Sequence, residues 1–292
     1  MNIKGTGVAL ITPFNKDFSI DFEGLKRMVN HIIDGGLDYI VVLGTTGETA
    51  TLNKKEKETV FKAVAEYTNN RIPLVAGLGG NNTLDLIETI THFDFTGYSG
   101  ILSVSPYYNK PNQNGIYMHY KMVAEASPIP VIIYNVPGRT GSNISPETVC
   151  RLAKDCRNII AVKEASGNLE QCMNIVQRMP ANFAVTSGDD SFTLPFMSIG
   201  MCGVISVIAN AYPAQMSALV NACLNKDYDK ANQLHYKLYE LMKLIFADGS
   251  PGGIKYILNK LGLCETTVRL PLHDISEQTA VLIDAAMLEF SK

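Results

Sequence analysis

Charge is scarce in this chain: 18% of its 292 residues are charged, and they sum to a net −3. Without a basic excess, nothing attracts nucleic acid or an anionic membrane surface, so small molecules are the expected partners. The amino terminus, MNIKGTGVALITPF, lacks the long apolar core and small-residue cleavage site of a secretory leader. The most apolar later stretch, 203–224, is broken by Asn210, Pro213, Gln215 and Asn221, residues that are expensive in lipid. No membrane span is expected, and the cytoplasm is the default location. Cys150, Cys156, Cys172, Cys202, Cys223 and Cys264 form no C-x-x-C pair and read as reduced thiols. His31, His92, His119, His235 and His273 are scattered, with no H-E-x-x-H, so no metal site is expected. GLGGNNT at Gly77 does not complete a dinucleotide fingerprint, and no P-loop occurs.

What the chain does have is apolar residues, 46% of the total, enough for a large core. They come in short β-branched runs: 6–11, 39–43, 74–76, 100–105, 131–134, 159–163, 183–187 and 203–208. Nearly continuous Val, Ile, Leu and Ala over a few residues is the pattern of strands buried on both faces. Between them lie amphipathic segments. In 22–33, Phe22, Leu25, Met28, Val29, Ile32 and Ile33 fall on one stripe, and 54–67 repeats the pattern with Val60, Phe61 and Val64. Ser145-Pro146-Glu147 reads as a helix start, and Thr83 followed by Asp85 and Glu88 as a weaker one.

Eight strands alternating with helices predict an α/β fold, a closed (β/α)8 TIM barrel, in a single domain of this length. A doubly wound open sheet is the runner-up. After Ile208 the strand pattern stops. The expected division is a barrel over 1–224, with its site at the carboxyl ends of the strands, and a C-terminal helical extension over 225–292 packed on it. Asp248 to Gly253 (DGSPGG) reads as a turn within the extension.

Residues at the carboxyl ends of parallel barrel strands face the active site. Thr12, Gly44 to Glu48, Ser105 to Asn109, Tyr134 to Gly141, Lys163-Glu164 and Ser187 to Asp190 stand there. Lys163 follows four apolar residues, Ile159 to Val162. Burial disfavours an ammonium and favours the neutral amine that attacks a ketone. The other reading is a strand-end lysine that snorkels or pairs with Glu164. Tyr134, ending VIIY one strand earlier, is either a proton shuttle or a core tyrosine. Thr45 and Thr46 occupy a Gly-bounded turn that suits an anion or serves geometry alone. Arg139, in a Pro-Gly loop, suits bidentate carboxylate recognition or is an idle surface arginine. The two carboxylates of SGDD after the seventh strand would repel phosphate, which favours a carboxylated, unphosphorylated substrate.

GTTGE at Gly44, SPYYNKP at Ser105, YNVPGRTG at Tyr134 and VKEASG at Val162 together resemble dihydrodipicolinate synthase, a pyruvate-dependent class I aldolase of the N-acetylneuraminate lyase superfamily. The likeness covers nearly the whole chain, and four linked motifs in order are far more specific than one. It implies a 4-hydroxy-tetrahydrodipicolinate synthase, a lyase of lysine (diaminopimelate) biosynthesis. Such an enzyme condenses pyruvate with L-aspartate 4-semialdehyde and needs no cofactor beyond its covalent Schiff base.

By the same resemblance Lys163 is the Schiff-base nucleophile and Tyr134 the proton donor and acceptor. Thr45 links Tyr134 to a Tyr108 contributed by the adjacent subunit. Thr46, Gly188 and the Ile205 backbone line the pyruvate end, and Arg139 binds the aldehyde's carboxylate. A homotetramer built as a dimer of dimers is implied, with a lysine-regulatory site at Thr49, Ala50, Asn81, Asp85 and Tyr107. Lys54 and Lys57 stand where strongly inhibited members carry histidines, and Asp85 where they carry glutamate, so weak or absent feedback is expected.

Other readings are N-acetylneuraminate lyase and the 2-keto-3-deoxy sugar acid aldolases, which keep the lysine and tyrosine. The Thr45-Thr46 pair and Arg139 favour the synthase. A catalytically silent barrel serving binding or regulation is the alternative of a different class.

Overall fold

A computed structural model describes residues 1–291. Eight strands lie in sequence order around a closed barrel: β1 Gly5–Ala9, β2 Tyr39–Val42, β3 Leu74–Gly77, β4 Tyr98–Val104, β5 Val131–Asn135, β6 Ile159–Glu164, β7 Ala184–Ser187 and β8 Gly203–Ser206. All neighbours pair in parallel, and β1 closes on β8. The open doubly wound alternative is therefore excluded. The eight apolar runs in the sequence correspond one to one with these strands, with ends displaced by at most two residues.

The period-2 alternation of a strand divides the core into two layers. Ala9, Tyr39, Val41, Ile132, Tyr134, Ala161 and Ile205 fill the barrel interior, while Val8, Ile40, Val42, Ile133 and Val162 pack outward against the helices. Lys163 shares the phase of Ala161 and so faces inward. Glu164 faces out.

The barrel closes on two glycines. A Cβ at Gly203 would stand 2.0 Å from the Gly5 carbonyl oxygen, and Gly5 itself has φ +106, a backbone that side chains rarely adopt. The closure depends on bare backbone at both positions.

Helix starts follow capping chemistry. The Asp21 carboxylate accepts from the Gly24 N–H at 2.8 Å and opens helix Phe22–Asp34. Asn53 and Glu56 form a reciprocal capping box before Lys54–Thr68. Ser145 caps Pro146–Asp155 as the sequence suggests. At the third helix the cap is Asn82, whose side chain accepts from the Leu84 N–H, and Thr83 is the first helical residue. Both residue types cap well, and Asn82 comes first in the chain.

The C-terminal region consists of separate helices. Helix Pro213–Leu224 ends at Asn225, Lys226 takes a left-handed φ of 60, and Asp227 caps a new helix, Tyr228–Leu244. Two more follow, Gly252–Lys260 and Glu277–Phe290. No helix among the described residues is long and apolar enough to cross a membrane.

Candidate active site

β5 and β6 bring Tyr134 and Lys163 into register as direct neighbours. Both are buried, and the Lys163 Nζ stands 4.5 Å from the centroid of the Tyr134 ring. Lys163 makes no salt bridge among the described residues. Glu164 does not serve it: its carboxylate accepts from Asn135 Nδ2 at 3.0 and 3.1 Å, from Gln171 Nε2 at 3.1 Å and from the Ser166 N–H at 2.9 Å. Burial raises the Glu164 pKa despite these bonds. Of the two sequence readings of Lys163, pairing with Glu164 is thus removed, because adjacent residues of a strand point to opposite faces.

The Lys163 amine opens into a cavity of about 520 Å³ at the carboxyl ends of the strands. Thr45, Thr46, Tyr134, Arg139, Gly188 and Asp189 share its walls with Lys163. Thr45–Gly47 is a short 3-10 turn, held on one side by the Thr12 hydroxyl donating to the Gly47 carbonyl at 2.7 Å. Arg139 sits in the helical turn Pro137–Thr140 and is exposed beside the cavity. Gly188, past the end of β7, leaves the space that the lysine stem occupies: a Cβ there would come 2.9 Å from Lys163 Cε. Ile205 lies in β8, fully buried in the interior layer. Its side chain is not among the cavity walls, where Ala9 and Val207 stand instead.

Electrostatics are concentrated at the end of β7. Burial pushes the Asp189 carboxyl up to about 6 against the opposing pull of Lys163. Burial also raises Asp190, whose carboxylate accepts from the Val207 and Ile208 N–H groups at 2.9 Å each and so ties the loop after β8 to the rim. No group of three or more His, Cys, Asp or Glu able to hold a metal occurs among the described residues.

Tyr108 does not reach this cavity within its own chain. It is 88% exposed with a left-handed φ of 71, and Tyr107 beside it is also exposed. Asn81 Nδ2 donates to the Tyr107 carbonyl at 3.2 Å, and Asn109 Nδ2 to the Asn81 carbonyl at 3.0 Å. This loop borders a second, larger groove of about 1620 Å³. Thr49, Ala50, Asn81, Asp85 and Tyr107 all line it, with Lys54 and Lys57. Thr45, Tyr134 and Arg139 line both spaces, so the groove and the lysine cavity adjoin.

The sequence reading missed one wall. Phe246, Gly249 and Ser250 come from the C-terminal region and line the lysine cavity. The dense Gly-Pro run in an otherwise helical stretch was the available signal, since such loops often carry function on a rigid scaffold.

A parallel barrel whose mouth buries a lysine against a tyrosine, with a hydroxyl turn and an arginine on the rim, defines a lyase of the class I aldolase type. The chain matches the Dihydrodipicolinate synthetase family over residues 2–288, and it belongs to that family. It is 54% identical over 288 residues to the 4-hydroxy-tetrahydrodipicolinate synthase of Flavobacterium psychrophilum, covering 99% of this chain and 98% of that one. Among solved structures, the dihydrodipicolinate synthase of Aquifex aeolicus superposes with a TM-score of 0.95 at 40% identity, covering 99% and 98% of the two chains. The Acinetobacter baumannii enzyme, solved with pyruvate, gives 0.96 at 38%, covering 99% of each.

Proposed function

We propose that this chain condenses pyruvate with L-aspartate 4-semialdehyde to 4-hydroxy-tetrahydrodipicolinate, a step toward lysine and diaminopimelate. The observation that carries the reading is the Lys163 amine, buried and in no salt bridge among the described residues, 4.5 Å from the Tyr134 ring in the cavity at the carboxyl ends of the strands. The amine attacks the C2 carbonyl of pyruvate, and loss of water from the carbinolamine leaves an iminium. Tyr134 carries the protons that enter and leave during those two steps. The iminium withdraws electrons from the methyl carbon, which loses a proton to give an enamine. The enamine carbon attacks the aldehyde carbon, forming the new C–C bond. The amino group of the product then attacks C2, expels Lys163 and closes the ring. The iminium is the electron sink, so the chemistry calls for no further cofactor.

Thr46 and the turn around it suit the pyruvate carboxylate, with Gly188 and the Ile205 backbone at the same end, and Arg139 suits the carboxylate of the aldehyde. We read Tyr108 as the far end of a relay through Thr45 to the Tyr134 of an adjoining subunit. An almost fully exposed tyrosine in a left-handed backbone supports that reading. Exposed apolar residues of the helix Leu169–Arg178, Leu169 and Met173, support a second contact and hence a homotetramer. Six free thiols fit the reducing cytoplasm.

The larger groove is read as the lysine-regulatory site, responding weakly or not at all. Asp85 is a short carboxylate for a lysine ammonium, and Lys54 and Lys57 add opposing charge. Inhibition at submillimolar lysine would overturn this.

The test of the main reading follows pyruvate by NMR with L-aspartate 4-semialdehyde as the only aldehyde. Turnover that disappears in Lys163→Ala is the expected result. Borohydride-dependent attachment of pyruvate without turnover would move the assignment to a sugar-acid aldehyde, and the absence of both turnover and attachment would reject the aldolase.

A further inference from the structure

Glu48 and Lys255 are both completely buried and pair at 2.5 Å. Each has a further partner. Lys255 Nζ also donates to the Thr267 carbonyl at 2.8 Å, and the second Glu48 oxygen accepts from the Arg269 N–H at 2.9 Å. A buried ion pair rarely adds stability over apolar residues of the same shape, because desolvation offsets the attraction. Its value lies in fixing geometry, and each end of this pair lies close in the chain to a segment that walls the lysine cavity, Thr45-Thr46 on one side and Gly249-Ser250 on the other.

On one side, Glu48 directly follows the Thr45–Gly47 turn and donates its N–H to the Thr45 carbonyl at 3.1 Å. Its own backbone is left-handed, φ 53, a conformation that costs a non-glycine residue energy and needs an anchor. On the other side, Lys255 lies in helix Gly252–Lys260, immediately after Gly249 and Ser250, which line the cavity. The residues are 207 positions apart, and no strand of the barrel joins these segments.

We infer that the Glu48–Lys255 pair is a positioning strut: it sets the separation between the Thr45-Thr46 turn and the Ser250 wall, and thereby the fit of the keto-acid carboxylate. The inference rests on the proposed pyruvate chemistry of the same cavity. It assigns no catalytic contact to either residue. The strut acts on binding of the keto acid rather than on the bonds made by Lys163.

The test compares Lys255→Met with the double variant Glu48→Gln/Lys255→Met, since the single variant strands a buried carboxylate and could fail to fold. In the double variant no buried charge remains and the shapes are kept, so thermal stability should return close to that of the unmodified protein. The KM for pyruvate should nonetheless stay raised about tenfold or more, with kcat changed far less, as expected when ground-state and transition-state binding fall together. A double variant whose pyruvate KM recovers along with its stability would reduce the pair to a folding element and overturn the strut. Borohydride attachment of pyruvate to the unmodified protein is run alongside. Its absence would reject the pyruvate reading itself, and the strut with it, whereas attachment with an unchanged KM would reject the strut alone.

Discussion

Gly188 and Lys163 cannot both carry a full side chain. A Cβ on Gly188 would lie 2.9 Å from Lys163 Cε and 2.5 Å from the Ala165 Cβ, both inside the closest approach that real side chains make. The requirement is for space. The end of β7 must stay bare so that the lysine of β6 can extend into the cavity.

Gly188→Ala should therefore impair the lysine more than the fold. Pyruvate attachment, timed by borohydride quenching, should slow about 100-fold, the scale of a 1 Å misplacement of a reacting group. Urea unfolding should record a loss of about 1–3 kcal/mol from overpacking. Attachment at the native rate would show that the stem finds its place without the gap.

Tyr108 tests the assembly. Tyr108→Phe should reduce turnover by about 100-fold or more, the lower range for a lost proton-transfer group. Mixed with Lys163→Ala and reassembled, the two inactive proteins should regain activity approaching about a quarter of native, because one site in each mixed dimer is whole. If mixing restores nothing, Tyr108 does not serve a neighbour.

Burial raises the Asp189 pKa to about 6 from the ordinary 3.8. The sign follows from linkage: a carboxyl raised in the folded state binds its proton more tightly there than when unfolded. Its contribution is fully present below pH 3.8 and is lost as pH rises through about 6. Asp189→Asn should thus be more stable than the native protein at pH 8, by about 2 kcal/mol, with no such gain at pH 3.5. Denaturant titrations at the two pH values distinguish this from a uniform effect.

His119 works in the opposite sense. Its ring is buried, its Nδ1 lies 2.9 Å from the Thr83 hydroxyl, and burial lowers its pKa to about 4 from 6.5. Stability from this group is present above pH 6.5 and drains away as pH falls toward 4. His119→Leu should flatten that part of the acid limb by about 3 kcal/mol, read as midpoint against pH. An unchanged slope would mean that other groups dominate it.

The sequence was legible wherever one segment carried the whole message. Lys163 after Ile159 to Val162 announced a lysine leaving a buried strand, because four apolar residues in a row mark such a strand. Ser145-Pro146-Glu147 announced a helix start for the same local reason. What could not be read was pairing at a distance. Nothing near Glu48 names Lys255, and nothing in the C-terminal helices announces that Phe246 and Ser250 wall a cavity built by the strands. Pairing of Lys163 with Glu164 failed as a reading on simple alternation.

The glycine seam between β1 and β8 has a bearing on how the chain is made. β1 is made well before β8, and its partner edge stays empty until Gly203 has been delivered, nearly 200 residues later. Throughout that interval β1 and the newest strand each offer an unpaired row of backbone groups, which invites pairing with the wrong chain. Slowed elongation ahead of Gly203 would prolong that exposure.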